Sequence, residues 1–408
     1  MKITRKSLWP VGVAAMAVAM MAFVDFAEAH KIRVVMTVSS SGRFALAAQS
    51  GARGAQIWVD DINNRGGITI GGKVHEIELV ELDDRSDKQM VARVYDTLIR
   101  DEKVDILLGP FGSTLTSAAA HVTEKYGKFL IIWSASSDKI YEQGYQYVVS
   151  GSQIAASLLG APAIKMMNSV GVKKVALAYL DEPFPAGTAQ GAEKLAKTLG
   201  MEVTMMEKFA KGTKDFSIMF QKARATGAQA LYPIGYEGDQ MAMARQLREM
   251  NIDFPLVFMV YGSQPQFLEI GEDADFLFSQ TLMHPKVNWP VTAGLNREQV
   301  VERYNKLFPD AAYPPDFQTA LAYSALAVLE EIMKKADSVE PAKLKQAAIE
   351  LSGKLTVMTG PYEILDNGKQ IQMQFVVMQN HANGPEVVFP PEVRTAEPIY
   401  PVPKYGDR

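Results

Sequence analysis

Two short segments of this chain carry residue types suited to holding an anion. Gly112-Ser113-Thr114 and Ala135-Ser136-Ser137 each follow an apolar run, and the first opens an alanine-rich helical pattern. Small hydroxyl residues at such a position leave backbone N–H groups facing a ligand, and the helix dipole favours negative charge there. Serine and threonine also cap most helices with no ligand at all, so position alone leaves both readings open. Ser39-Ser40-Ser41-Gly42-Arg43-Phe44 places a basic side chain after the first apolar run. An arginine fork grips a carboxylate through two bonds, although a loop arginine is as often simply solvated. Phe44, Trp133, Phe184, Tyr236 and Tyr261 fall at or beside expected strand ends or cleft loops. Each alone is more often core than ligand shelf. Together they would line an apolar slot that accepts a ring.

Catalytic patterns are weaker. Ser136-Ser137-Asp138-Lys139 fits S-x-x-K, but neither S-D-N nor K-T-G follows, so coincidence explains it better than a serine hydrolase. No G-x-S-x-G, Walker A or H-E-x-x-H pattern occurs. His30, His75, His121, His284 and His381 lack metal-ligand spacing. Asp83 and Asp84 follow an expected strand end and read as turn-forming and capping residues rather than a catalytic pair. The chain contains no cysteine, which removes thiol nucleophiles, thiolate metal sites, iron–sulfur clusters and disulfides. These observations point to a protein that is not an enzyme and needs neither cofactor nor metal.

The elements that would position the candidate residues follow from the apolar pattern. The 408 residues are 48% hydrophobic, ample for packed cores. Charge is close to balance, 42 basic against 46 acidic, with no basic cluster, which argues against nucleic-acid binding. Lys2, Arg5 and Lys6 precede an uncharged, mostly apolar stretch from Leu8 to Val24, and Ala27-Glu28-Ala29 has the small-x-small form of a cleavage site. Residues 1–29 therefore read as an export signal, with His30 beginning a mature chain that carries no membrane anchor. Beyond it, strands are expected at 32–38, 75–82, 104–108 and 129–133, with helices at 44–64, 86–101 and from 113 to Tyr126. A second series alternates helices at 154–168, 187–199, 215–225 and 239–250 with strands at 175–180, 202–208, 228–234 and 256–259. Residues 297–351 read as almost wholly helical, and six prolines between Pro385 and Pro403 predict an extended C-terminal strap. The expected fold is α/β, with two doubly wound lobes of mostly parallel strands joined by several crossovers. Lobe one takes residues 30–150 and 286–357, lobe two 151–285 and 358–408. Ligands of such sheets sit beyond the carboxyl ends of the strands.

Several blocks resemble one known family. Asp61-Ile62-Asn63-Asn64-Arg65-Gly66-Gly67-Ile68 is similar to the DIN-x-x-GGI block of the leucine/isoleucine/valine-type periplasmic binding proteins. Leu82-Asp83-Asp84 with Asp87, Leu108-Gly109-Pro110 with Ser113, and Thr359-Gly360-Pro361-Tyr362 before Asp366-Asn367-Gly368-Lys369 follow in that family's order. The resemblance covers essentially the whole mature chain. It implies a monomeric Venus-flytrap protein in the periplasm that captures a small solute and hands it to an inner-membrane ABC permease. It further implies that Ser113, Ser136 and Ser137, with Thr114 beside them, face the ligand carboxylate, and that Ser86 and Gly112 replace the cysteines of the family's disulfide. Amino-acid binders of the family hold the ligand ammonium with a glutamate after the strand at 256–259. Here Val260-Tyr261-Gly262-Ser263 follows, with no acid. Asp181, Glu182 and Glu237 remain in neighbouring loops. An aromatic or otherwise apolar carboxylic acid therefore fits better than an α-amino acid, with branched-chain or other amino acids as the alternative. A secreted hydrolase and a receptor-partner sensor are the lesser alternatives.

Overall fold

The computed structural model describes residues 31–101 and 104–408. The expected export signal and the His30 start lie outside the described residues. The first unit runs β1 (Ile32–Val38), α1 (Ala45–Asn64), a small hairpin of β2 (Ile68–Ile70) and β3 (Lys73–His75), β4 (Ile77–Asp83), α2 (Lys88–Asp101), β5 (Ile106–Leu108), α3 (Ser113–Lys125), β6 (Leu130–Ile132), α4 (Asp138–Tyr141) and β7 (Val148–Ser150). Its parallel sheet has the order β4-β1-β5-β6-β7. The central strands β5 and β6 are buried throughout and read as continuous aliphatic runs, as strands covered on both faces must.

The second unit follows with α5 (Ala156–Leu159), α6 (Ala161–Ser169), β8 (Lys174–Leu180), α7 (Pro183–Thr198), β9 (Glu202–Phe209), α8 (Ser217–Ala225), β10 (Ala230–Ile234), α9 (Glu237–Glu249) and β11 (Leu256–Val257). Its sheet is again parallel, ordered β11-β10-β8-β9. β12 (Phe278–Thr281) continues past β11, where Met259 N–H donates to the Phe278 carbonyl at 2.7 Å. The chain then returns to the first unit through α10 (Arg297–Leu307), α11 (Phe317–Ala336) and α12 (Pro341–Leu351), and α11 packs along α1. β13 (Leu355–Val357) and β14 (Gly360–Tyr362) form a hairpin, and β15 (Val376–His381) and β16 (Gly384–Phe389) add antiparallel strands to β12. Two lobes of mostly parallel sheet with crossing connections make a Venus flytrap.

Four sequence expectations change in detail. The helix expected at 154–168 breaks into α5 and α6 at Gly160, because Pro162 opens a new first turn. The stretch 297–351 is three helices, interrupted by Pro309, Pro314 and Pro315 and again before Pro341. Residues 358–370 were expected in lobe two, yet β14 pairs with β13, and Gly368 accepts from Ser150 N–H at 2.9 Å. The chain thus runs beside the edge strand β7 of the first sheet as far as Gly368. The expected strap begins with an ordinary sheet strand, β16, before its proline-rich remainder docks on lobe two through Val402 N–H to Pro255 O and Tyr405 N–H to Asp253. Among the described residues, no helix is long and apolar enough to cross a membrane.

Candidate functional site

The strands β5 and β6 end in loops that face the opposite lobe. After β5 the chain turns at Gly112, whose φ of 79° is open to glycine at little cost, and α3 begins at Ser113 with no side-chain cap. The first-turn N–H groups of α3 thus keep their positive end for something else. Gly112 N–H donates to Ser134 Oγ at 2.9 Å. Ser113 Oγ accepts from the N–H groups of Ser136 and Ser137 at 3.2 and 3.0 Å. With both acceptor positions used, the Ser113 hydroxyl proton is what remains to give. These bonds lock the two loops after β5 and β6 into one preformed surface.

Opposite them, lobe two presents Phe184 from α7, Tyr236 at the start of α9, and Val260 and Tyr261 beyond β11. The space left between them is small, about 30 Å³, room for roughly one water, so the two walls lie close together with the rings filling most of the cleft. From lobe one it is bounded by Phe111, Gly112, Ser113, Ser134 and Ser136, and by Phe317 and Gln318 at the start of α11. Gln280 of β12 closes the lobe-two side. Among the described residues, no aspartate or glutamate lines this space. The rings form a continuous chain, with centroid separations of 5.5 Å for Phe184–Tyr236, 4.8 Å for Phe44–Tyr236 and 5.3 Å for Phe44–Phe111. A Cβ at Gly112 would lie 3.5 Å from the Tyr236 hydroxyl, so that hydroxyl hangs over the preformed loop of the other lobe. Burial pushes the Tyr236 hydroxyl's pKa up, which keeps it a neutral donor. It has no hydrogen-bond partner among the described residues.

The structure thus brings Ser113, Ser136, Phe184, Tyr236 and Tyr261 around one cavity and places the other candidates elsewhere. Phe44 sits one ring back, behind Tyr236 and Phe111. Trp133 is fully buried, donates its indole N–H to Gly109 O at 2.8 Å, and packs so closely on α1 that a Cβ at Gly51 would meet its ring at 2.1 Å. It is core, supporting Phe111 from 5.8 Å, because its side chain points into lobe one rather than across the cleft. Ser137 lies on a separate depression with Asp138, Ser157 and Gly187, since successive residues of an extended segment face opposite ways. Arg43 is not free for a ligand. Its guanidinium donates to both Glu182 carboxylate oxygens across the lobes, at 2.7 Å to the farther one, and stacks over Phe44 and Tyr236 at 4.3 and 5.1 Å. Thr114 joins this rim contact, its Oγ1 donating to Glu182 at 3.4 Å.

The remaining acids are also accounted for. Asp181 pairs with Lys208 at 2.8 Å on the exposed surface. Glu237 is 8% exposed and accepts from Gln266 at 3.3 Å, while its Oε1 has no partner. Desolvation pushes its carboxyl up to about 7, with Gln266 opposing the rise and nearby Asp316 adding to it. Asp83 and Asp84 hold the β4 turn, accepting from Ser40 N–H, Arg85 N–H and Ser86 N–H, with Thr37 and Ser39 hydroxyls on Asp84. Sequence reasoning missed Phe111, which sits inside the Gly109–Ser113 block, three residues beyond the end of β5. It also missed Phe317, Gln318 and Gln280, which no local motif marks.

Comparison with known proteins agrees with this architecture. The profile of the family described as periplasmic binding protein matches residues 31–385. The Leu/Ile/Val-binding protein of Escherichia coli (strain K12) is 24% identical over 371 residues, 89% of this chain and 95% of that protein. A leucine binding protein from Thermotoga maritima superposes with a TM-score of 0.75 at 23% identity, covering 87% of this chain and 97% of its own. A solute binding protein of an ABC transporter from R. palustris, solved in complex with benzoate, gives 0.72 at 17% identity, covering 91% and 98%. The chain therefore belongs to the periplasmic binding proteins, and it shares the two-lobed fold of these solved structures.

Proposed function

We propose that this protein captures a small carboxylic acid with an aromatic or apolar body between its lobes and delivers it to an inner-membrane ABC permease, after export and removal of residues 1–29. The observation that carries this reading is the composition of the cavity: serine and backbone donors on lobe one, rings on both sides, and no carboxylate to hold an ammonium. Ser113, Ser136 and the first turn of α3 would hold the acid from lobe one, with Tyr236 reaching it from lobe two. Ser137 and Trp133 would support those groups rather than touch the ligand. Three charge-assisted bonds contribute roughly 4.5–9 kcal/mol gross, and burying a ring adds about 2–3 kcal/mol. Ordering and association take back about 4 kcal/mol or more, so the upper end of these gains leaves about −8 kcal/mol, micromolar binding, with no ammonium contact.

An amino acid is the second reading, because Glu237 is buried near the cleft with one oxygen unpaired. Calorimetric titration with 3-phenylpropanoate, benzoate, phenylalanine, leucine and valine separates the two. Micromolar binding of the desamino acids supports the proposal. Tight binding of leucine or valine with none of the desamino acids overturns it and assigns the amine to Glu237.

A further inference from the structure

Two glutamines inside the cavity have no role in holding a simple hydrophobic acid. Gln280 projects from β12 of lobe two and Gln318 from the first turn of α11 in lobe one, so the pair reaches the same space from opposite lobes. They are 1% and 2% exposed, yet the Oε1 of each is buried with no hydrogen-bond partner. Their backbones are not free to swing these atoms toward water. Gln280 is in register with Val377 in the antiparallel sheet, and Gln318 N–H is tied to the Asp316 carboxylate at 2.9 Å. A buried polar atom left without a partner is costly, and native structures pair such groups with protein, water or ligand. Both orphaned atoms are acceptors. A carboxylate has no proton to offer them, and neither does an apolar ring.

We propose that the natural ligand carries, besides its carboxylate, a neutral hydrogen-bond donor such as a hydroxyl or a carboxamide, and that Gln280 and Gln318 read it. This rests on the carboxylic-acid reading above. Because the two amides come from different lobes, a carboxamide can give one N–H to each only when the cleft is closed, whereas a hydroxyl proton satisfies one of them. The second polar group then adds to the differential contacts that favour the closed state. A site built to hydrogen-bond a substrate hydroxyl rejects the analogue lacking it far more strongly than an apolar pocket rejects an extra methylene.

The test uses matched pairs: 3-phenylpropanoate against its 3-hydroxyphenyl, 4-hydroxyphenyl and 4-carbamoylphenyl analogues, and phenylalanine against tyrosine, each titrated calorimetrically into the full mature chain. At least one polar analogue should bind tenfold or more tightly than its parent. In Gln280→Met and in Gln318→Met this ratio should fall towards one while the parent acid keeps its affinity. The unliganded melting temperature should hold or rise in both variants, because each removes an orphaned acceptor, and this also reports that they fold. A ratio near one in the wild-type chain overturns the proposal. So does an equal loss for parent and analogue in the variants, which would mean that the amides donate to the carboxylate itself. If tyrosine is preferred over phenylalanine and no desamino acid binds, the carboxylic-acid reading fails while the reading of a second donor stands. If none of these compounds binds at millimolar concentration, both fail.

Discussion

On the lobe-one wall of the cleft the polar groups of the loops after β5 and β6 satisfy one another before any ligand arrives, and only Gln318 Oε1 of α11 is left over. Ser113 Oγ takes the N–H groups of Ser136 and Ser137, Ser134 Oγ takes Gly112 N–H, and one proton and one helix end are left facing the cavity. On the lobe-two wall the backbone is held, Tyr236 N–H by Asp239 and Tyr261 N–H by Gln240, but the side-chain polar atoms facing the cavity are not. The Tyr236 hydroxyl and Gln280 Oε1 are buried without partners, and the surface is otherwise apolar, mostly rings with Val260. The first wall is preorganised and can hold an anion in the open protein with little rearrangement. The second gains its polar contacts only when a ligand is present and the lobes meet, so it supplies the differential binding that shifts the protein from open to closed.

That contrast is most exposed at Tyr236. Tyr236→Ala removes a donor and the ring that touches both Phe44 and Phe184, and should weaken ligand binding by about 3 kcal/mol or more, over a hundredfold. Small-angle scattering of the ligand-saturated variant should show less compaction than wild type. Ser113→Ala is the counterpart on the other wall. It strips the acceptor from two buried N–H groups, so stability without ligand should fall by about 1–3 kcal/mol together with the loss of affinity. A drop in affinity with an unchanged melting temperature would show that the lobe-one wall is not preformed.

Glu237 tests the cost of the polar groups that closure buries. Its folded-state pKa is raised from 4.5 to about 7, so the folded protein holds this proton more tightly than the unfolded chain does. The group costs nothing below the unfolded value, costs progressively more between 4.5 and about 7, and exacts its full penalty above. Glu237→Gln removes that penalty. It should raise stability by about 2–3 kcal/mol at pH 8 and leave it unchanged near pH 4, as read by thermal unfolding across pH. A gain of equal size at both pH values would mean that the carboxyl is not the cause. The smallest effect belongs to the rim. Arg43→Ala breaks the ion pair to Glu182 between the lobes and should cost about 1 kcal/mol of ligand affinity. The difference from wild type should shrink as salt rises and screens the pair. An unaltered affinity at low salt would show that the rim contact does not contribute to closure.

The parts of the site legible in the sequence are those lying directly beyond the carboxyl ends of parallel strands. Ser113 and Ser136 follow β5 and β6, Phe184 and Tyr236 follow β8 and β10, and the apolar runs before them mark the strands plainly. What misled was the direction of individual side chains. Trp133 stands immediately after β6 but turns into the core over Gly51, and Ser137 turns to the far side of the chain from Ser136. Arg43 reads as a ligand contact until its partner Glu182 arrives from the other lobe. Gln280 and Gln318 could not be found locally. They enter the cavity because β12 joins β15 antiparallel and α11 packs back on α1, contacts between segments far apart in the chain. Helix breaks at Gly160 and ahead of Pro341 follow the proline rules, but a continuous helical pattern on either side conceals them.

The central claim is that the cleft binds a carboxylate without needing an ammonium. The most direct measurement is a competitive calorimetric titration of 3-phenylpropanoate and phenylalanine, which differ by the amino group alone, into the same ligand-free preparation. Among the described residues no aspartate or glutamate lines the cavity, so the ammonium of phenylalanine would be buried without an opposite charge. The account predicts micromolar binding of 3-phenylpropanoate and at least tenfold weaker binding of phenylalanine. Tighter binding of phenylalanine than of 3-phenylpropanoate would contradict it.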